Sequence, residues 1–374
     1  MDYIMRRVGE EGSIAVVRLS DGEVLFAHRE HHPMIPASTL KLAVCRAALS
    51  RWGRSHRFPT LFFQDEEGWL YVKGLGDPCL VSEELQSVAA ALSRRLEPVQ
   101  GIRVDDSYFE EGMDIPGRGK VDEPYNAVVG ALSSNFNTLL LHKRSDGTLS
   151  SKEPVTPLTP LARRLGRWHP CKRGAFWRNL PREDHYPALQ TGHLLRMMLR
   201  REGVQISEIV GAGTVPQGLS PVYIHRSSKP LSEVLRLLLE YSNNMVANQI
   251  LLSLGADCHG PPATLEQGRK VVRWYLKGIP LSEEILLVEG SGLSVENRAS
   301  ALALAHLTRA FHEHKDLMPW KEGVQAKTGT LTGVRALAGY LTLGSKEEAA
   351  FALLFTEKAP DRYEAVRWLQ EALR

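Results

Sequence analysis

Pro36-Ala37-Ser38-Thr39-Leu40-Lys41 stands between a polar loop and the apolar run Leu42-Ala43-Val44-Cys45, with Ala47, Ala48 and Leu49 beyond. A serine just before such a run signals a helix N-terminus, and the proline two residues earlier favours an extended approach. Positions three apart share a helix face, with Cβ atoms roughly 5–6 Å apart, so the Lys41 amine falls within reach of the Ser38 hydroxyl. Serine is a poor nucleophile until a base takes its proton, and a desolvated lysine of lowered pKa can be that base. Backbone N–H groups at the helix start suit a developing oxyanion. Taken alone, this short pattern reads better as a capping serine and a solvated lysine. The rest of the chain reverses that preference.

At 374 residues, the chain is expected to hold one large domain or two to three smaller ones, with ample material for a core. A hydrophobic fraction of 43% and a charged fraction of 24% are those of an ordinary globular protein. A net charge of +3 is too weak to argue for nucleic acid, and the basic pairs Arg163-Arg164, Lys172-Arg173 and Arg200-Arg201 read as solvated faces. The cysteines at 45, 79, 171 and 258 form no C-x-x-C, and His169-Pro170-Cys171 lacks the further ligands of a zinc site. A disulfide among them cannot be read from the sequence. The loop His28-Arg29-Glu30-His31-His32 is histidine-rich, but its spacing is no recognised ligand set. No apolar run is long enough to span a membrane, and Met1 to Arg7 lacks the apolar core of a signal peptide. Either the protein stays in the cytoplasm or an export signal precedes the sequence in hand.

Two strands, Ser13 to Leu19 and Glu23 to Ala27, are expected around a Ser20-Asp21-Gly22 turn, followed by the Ser38 helix to about Trp52-Gly53. Leu70 to Val72 reads as a strand entering the turn Gly74-Leu75-Gly76-Asp77-Pro78. A helix is expected over Glu83 to Leu96, and strands over Gly101 to Val104 and Val128 to His142. Residues 143–185 read as loop. Helical periodicity returns at Ala188 to Arg201, from Leu231 to Leu239, at Met245 to Leu254, at Thr264 to Lys277 and at Ala301 to His314, with a short strand at Val222 to His225. The close is three strands, Val324 to Thr330, Ala336 to Leu343 and Ala349 to Thr356, then a helix from Arg362 to Leu373. These patterns predict an α/β (α+β) fold: one antiparallel sheet assembled from both chain ends and flanked by helices, with the middle inserted. The catalytic part is expected over 1–57 and 225–374, and the insertion over 58–224.

Lys327-Thr328-Gly329-Thr330 opens the first C-terminal strand. Glycine weakens a strand unless something must approach its backbone closely. A lysine, two hydroxyls and an accessible backbone suit a substrate carboxylate lying along the strand edge. Ser242-Asn243-Asn244 sits between two helices, where a serine can relay protons and an asparagine can hold a lysine amine and a substrate amide together. A competing S-x-N, Ser133-Ser134-Asn135, falls in the insertion and precedes no helix.

The order S-x-x-K, S-x-N, K-T-G is that of penicillin-binding proteins and serine β-lactamases. The chain resembles the penicilloyl serine transferases, and more narrowly the class C penicillin-binding proteins, the D-alanyl-D-alanine carboxypeptidase/endopeptidases. The narrower resemblance rests on Pro36 to Lys41, Gly74-Leu75-Gly76-Asp77-Pro78, Asp105-Asp106-Ser107-Tyr108-Phe109, Tyr125-Asn126-Ala127, Asn135-Phe136-Asn137, Tyr241-Ser242-Asn243-Asn244, Gly290-Ser291-Gly292-Leu293-Ser294, Lys327 to Leu331 and Leu337-Ala338-Gly339-Tyr340. It implies a β-lactamase/transpeptidase-like domain with a large insertion between S-x-x-K and S-x-N. It further implies Ser38 as nucleophile, Lys41 as base, and Ser242 as relay to the leaving amine. Asn244, Lys327, Thr328, Gly329 and Thr330 would bind substrate, and the N–H groups of Ser38 and Thr330 would form the oxyanion hole. No metal or organic cofactor is implied. Peptidoglycan peptides ending in D-Ala-D-Ala would be the substrates, β-lactam antibiotics covalent inhibitors, and the periplasm the place of work.

The chain departs from this family in three places. The segment between Ser294 and Lys327 is short and lacks a D-G-T-L element, Glu289 stands where aspartate is usual, and the insertion is short after Lys143. Two other activities fit parts of the pattern: a serine β-lactamase or esterase on the same scaffold, and a catalytically idle wall-binding module. No obvious deacylating carboxylate supports the first, and an idle site has no need of Ser38, Lys41, Ser242 and Lys327 together.

Overall fold

The computed structural model describes residues 1–344 and 347–373. Its backbone packs as two compact units. One comprises Met1–Gly53, Leu235–Ala247 and Arg269–Arg374; the other comprises Arg54–Val234 and Asn248–Gly268.

The first unit is built on a six-stranded antiparallel sheet. Its order is Trp320–Lys321, Val324–Leu331, Val334–Thr342, Glu348–Thr356, Gly12–Arg18 and Val24–His28. The chain ends meet in its middle, where Ile14 pairs with Leu353 and Val16 with Phe351. Gly12–Arg18 and Glu348–Thr356 are almost wholly buried, so they read as continuous apolar runs rather than an alternation. Ile14, Val16, Phe351, Leu353 and Phe355 share a cluster with Ile4 and Val8 of the helix Asp2–Val8 and with Ala365, Val366 and Leu369 of the helix Arg362–Ala372. The intervening Ala15, Ala350 and Ala352 are fully buried, and the helix Ala301–Ala310 packs on these strands. Ser300 caps that helix, its Oγ accepting from the Ala303 N–H at 3.0 Å.

The second unit holds a five-stranded mixed sheet, in the order Tyr223–Arg226, Pro59–Gln64, Trp69–Gly74, Gly101–Asp105 and Val210–Ala212. Leu70, Val72, Ile102 and Val104 pack against Leu85, Val88 and Leu92 of the helix Ser82–Leu92 and Leu194, Leu195 and Leu199 of the helix Tyr186–Arg201. Each such burial is worth roughly 1.5–3 kcal/mol, and a one-residue slip of register would turn the whole set outward.

The strand expected over Val128 to His142 is confined to Thr138–Lys143. Asn135, Phe136 and Asn137 all adopt positive φ, which ends any extended run. Their amides repay that conformation. Asn135 accepts from the Ser82 N–H at 2.8 Å and donates to Ser82 Oγ at 2.8 Å, while Asn137 donates to the Val128 carbonyl at 2.8 Å and to Ser133 Oγ at 2.9 Å. Ser133-Ser134-Asn135 is thus occupied within the interior of this unit. Residues 143–185 are not loop. They supply the strands Leu149–Ser151 and Gly174–Asn179, which flank Thr138–Lys143 in a three-stranded sheet, and the helix Pro160–Arg167. Leu139, Leu141, Leu149, Ala162, Phe176 and Leu180 form its small core. Thr159 caps the helix and Pro160 opens it, a start signal within the supposed loop. The strand Pro59–Gln64 and the helix Asp2–Val8 were likewise outside the expected elements.

All four cysteines are free thiols. His28 bonds the Gly9 carbonyl and His31 pairs with Glu284; among the described residues no group of three or more His, Cys, Asp or Glu could hold a metal ion.

Asp77, in the Gly74 to Pro78 turn, is 3% exposed. Its Oδ1 accepts the Cys79 N–H at 2.9 Å, and its Oδ2 has no hydrogen-bond partner. Burial raises its pKa from 3.8 to about 7, with the Cys79 bond opposing and the Glu84 charge adding to the rise. The folded state therefore holds this proton more tightly than the unfolded state, so this group's contribution to stability declines as pH rises from about 4 to about 7. Asp77→Asn keeps the Oδ1 acceptor and removes the ionisation. Thermal unfolding should show the variant more stable than wild type at pH 8, with the gain shrinking toward pH 4.

Candidate active site

Ser38 lies in a 3-10 turn, Ala37–Leu40, that runs directly into the helix Lys41–Trp52. It is not the helix cap: no side chain caps either segment, and the turn is entered through Ala37 at φ 46°. The tight turn is held from two sides. A Cβ on Gly292, whose φ is +79°, would lie 1.9 Å from the Ala37 carbonyl oxygen, and one on Gly329 would lie 2.8 Å from the Pro36 carbonyl oxygen. Glycine in the K-T-G strand and in the Gly290 to Ser294 loop is what lets both backbones press against the serine's turn.

Lys41 is fully buried, whereas Ser38 is half-exposed. The Lys41 amine donates to Ser38 Oγ at 2.8 Å, Asn244 Oδ1 at 2.8 Å and the Ser291 carbonyl at 2.6 Å. Burial first, and then the charge of Lys327, lowers the pKa of Lys41 from 10.5 to about 7, with Glu289 opposing. Neutral Lys41 has two N–H donors and one lone pair. The carbonyl and the amide oxygen accept only, so they take the two donors and leave the lone pair aimed at the Ser38 hydroxyl.

Glu289 organises the loop beneath. Fully buried, it accepts the Ser291 N–H at 2.7 Å and Ser291 Oγ at 2.6 Å on one oxygen, and the Leu293 N–H at 2.7 Å and Asn297 Nδ2 at 2.9 Å on the other. The same carboxylate fixes the Ser291 carbonyl and opposes the loss of charge on Lys41.

Ser242, at φ 58°, joins the helices Leu231–Tyr241 and Asn244–His259. Its Oγ accepts from the Lys327 amine at 3.0 Å, and Lys327 also donates to the Thr328 carbonyl at 2.9 Å. Lys327 is itself buried, and burial brings its pKa to about 8. The strand Val324–Leu331 pairs with Val334–Thr342 on one side; on the other, Trp320–Lys321 covers only Val324 and Gln325. The Ala326 N–H points to this second side, to the Pro319 carbonyl at 3.0 Å. N–H direction alternates along a strand, so the Thr328 and Thr330 N–H groups face the same open edge. Thr328 is half-exposed and Thr330 exposed.

The structure thus joins Ser38, Lys41 and Asn244 in one set of bonds and Ser242, Lys327 and Thr328 in another, with Gly329 against the Ser38 turn and Thr330 at the strand edge. Reading by sequence missed the Ser291 carbonyl and recorded Glu289 only as a departure. It gave no hint of Arg362, which donates to Thr330 Oγ1 at 3.2 Å.

Comparison with known proteins follows this geometry. The model of the D-Ala-D-Ala carboxypeptidase 3 (S13) family matches residues 6–151, 178–323 and 317–371. A D-alanyl-D-alanine carboxypeptidase of Actinomadura sp. is 27% identical over 95% of this chain and 80% of its own length. The crystal structure of penicillin binding protein 4 from Haemophilus influenzae superposes with a TM-score of 0.79 at 18% identity, covering 100% of this chain and 99% of that one. A penicillin G-acylated predatory endopeptidase from Bdellovibrio bacteriovorus superposes at 0.54 and 15% identity, over 96% of this chain and 90% of its own.

If neutral Lys41 is the base, the rate of Ser38 acylation should rise with pH through about 7. Glu289→Gln removes a charge that favours protonated Lys41, so this limb should move to lower pH. The same change sets an amide donor among N–H groups and should lower the melting temperature. Lys41→Arg should be almost inactive at neutral pH, since arginine does not lose its proton there. Acylation rates measured from pH 5 to 9 on wild type and the two variants check all three outcomes.

Proposed function

From its membership of the D-Ala-D-Ala carboxypeptidase 3 (S13) family, to which this chain belongs, we infer how its residues carry out the reaction. The protein is a serine-type hydrolase of D-alanyl-D-alanine carboxypeptidase/endopeptidase type on a mixed α/β fold of the penicillin-binding kind. The observation that carries the assignment of residues is the buried Lys41 amine, 2.8 Å from a half-exposed Ser38 hydroxyl. Lys41 takes the hydroxyl proton as Ser38 Oγ attacks the carbonyl between two D-alanines. The oxyanion is met by the N–H groups of Ser38 and Thr330. As the C–N bond breaks, a proton passes by way of Ser242 to the leaving amine. Lys327, Thr328 and Thr330 hold the carboxylate of the leaving residue along the open strand edge, where Gly329 keeps the backbone close. Asn244 holds Lys41 and the substrate amide. Water then attacks the acyl-enzyme, its proton goes to Lys41, and Ser38 is restored. Catalysis is assigned to residues 1–57 and 225–374, with 58–224 as the inserted part.

Peptidoglycan peptides ending in D-Ala-D-Ala are the proposed substrates, and β-lactams are covalent inhibitors that follow the same path as far as the acyl-enzyme. Such peptides in the wall lie beyond the cytoplasmic membrane, so the periplasm is the proposed place of work. Among the described residues no helix is long and apolar enough to cross a membrane.

Fluorescent penicillin tests the assignment. Wild type should take up label and release it slowly; fast turnover would indicate a β-lactamase, and no label an idle module. Ser38→Ala should abolish labelling with the melting temperature within a few degrees of wild type, because the hydroxyl makes one side-chain hydrogen bond, to Lys41, worth about 1 kcal/mol. A labelled Ser38→Ala protein would refute Ser38 as nucleophile.

A further inference from the structure

Arg362 is the first residue of the last helix, Arg362–Ala372, and that helix start is pinned: Asp361 Oδ1 accepts the N–H groups of Tyr363 at 2.9 Å and Glu364 at 3.1 Å. From there the side chain reaches across to the K-T-G-T strand. Its Nη1 donates to the Gly329 carbonyl at 3.1 Å, the Ala336 carbonyl at 3.1 Å and Thr330 Oγ1 at 3.2 Å. Gly329 and Ala336 are direct partners across the strand pair, so one nitrogen clips both strands one residue before Thr330, which itself pairs with Arg335.

Two consequences follow from the chemistry of the group. A guanidinium has donors only, so Thr330 Oγ must be the acceptor, and the hydroxyl proton is turned away from Arg362 to donate elsewhere. Among the described residues the hydrogen bonds of Arg362 all use Nη1, so the N–H groups of Nη2 and Nε have no hydrogen-bond partner and no carboxylate pairs with the charge, while the guanidinium lies over the Tyr363 ring, 5.3 Å from its centroid. The side chain is half-exposed, and its charge is felt at Lys327. A guanidinium without a carboxylate partner among the described residues, an oriented hydroxyl and a buried ammonium therefore lie along one short stretch of strand.

We propose that Arg362 is a specificity residue for the carboxylate of the leaving residue. It fixes the Thr330 hydroxyl as a donor and offers its own remaining N–H groups to the same anion. This rests on the hydrolase reading above and deepens it. The site would demand a negative charge on the residue after the scissile bond, because a carboxamide there would set its own NH2 donors against donors and leave one cation unmatched.

The test uses two thioesters that differ only in ending in carboxylate or carboxamide, both reactive enough to follow. Wild type should prefer the acid strongly in kcat/KM. Arg362→Ala should lower that preference about tenfold or more, the scale of a hydrogen bond to a charged group, and Arg362→Lys should lie between. Melting temperatures of all three proteins show that each is folded. If Arg362→Ala slows both substrates by the same factor, the residue only holds the strands and the proposal fails. If wild type cleaves neither thioester, the hydrolase reading fails first and this proposal with it.

Discussion

One amine in a dry place governs this site. Lys41 has no exposed surface, and its three neighbours are all oxygens. In water an ammonium would be solvated and useless as a base. Here the missing solvent lowers its pKa to about 7, and the fixed carbonyl and amide decide which way the freed lone pair points. Much of the surrounding structure serves that arrangement. The buried Glu289 carboxylate, saturated by N–H and hydroxyl donors, holds the Ser291 carbonyl in place and keeps the amine from losing its proton too readily. The two glycines let the Gly290 to Ser294 loop and the K-T-G strand close on the turn that carries Ser38. A methyl group at either position would force the backbone apart.

The residues proposed to perform chemistry could be singled out because each needs a particular side chain at a particular spacing. A serine and a lysine three apart on one helical face, a serine and an asparagine at a helix junction, and a K-T-G on a strand can be found in a string of letters. The six-stranded sheet was legible for a related reason: Gly12–Arg18 and Glu348–Thr356 are buried on both faces and carry apolar runs. The insertion was not. Asn135, Phe136 and Asn137 sit in a strand-like pattern, yet all three adopt positive φ, supported by side-chain amides that bond residues far away in sequence. The helix Pro160–Arg167 buries little more than Leu161, Ala162 and Gly166, so its apolar periodicity is faint although its Thr-Pro start is clear.

Glu289 and Arg362 were hidden for another reason. Their importance lies in which backbone groups they reach, and a sequence carries no record of that. The Glu289 carboxylate is read from the loop it gathers, and the Arg362 guanidinium from carbonyls more than twenty residues before it. Neither stands in a motif whose spacing explains its contacts.

The sheet order has a consequence for how the protein comes into being. Gly12–Arg18 finds its inner neighbour only in Glu348–Thr356, so the first strand made waits for nearly the last. Until then the N-terminal hairpin has one unsatisfied edge, and the Ser38 turn has no K-T-G strand to press against. A ribosome must therefore release almost the whole chain before the site exists, and the closing of that long loop comes late on the path to the native state.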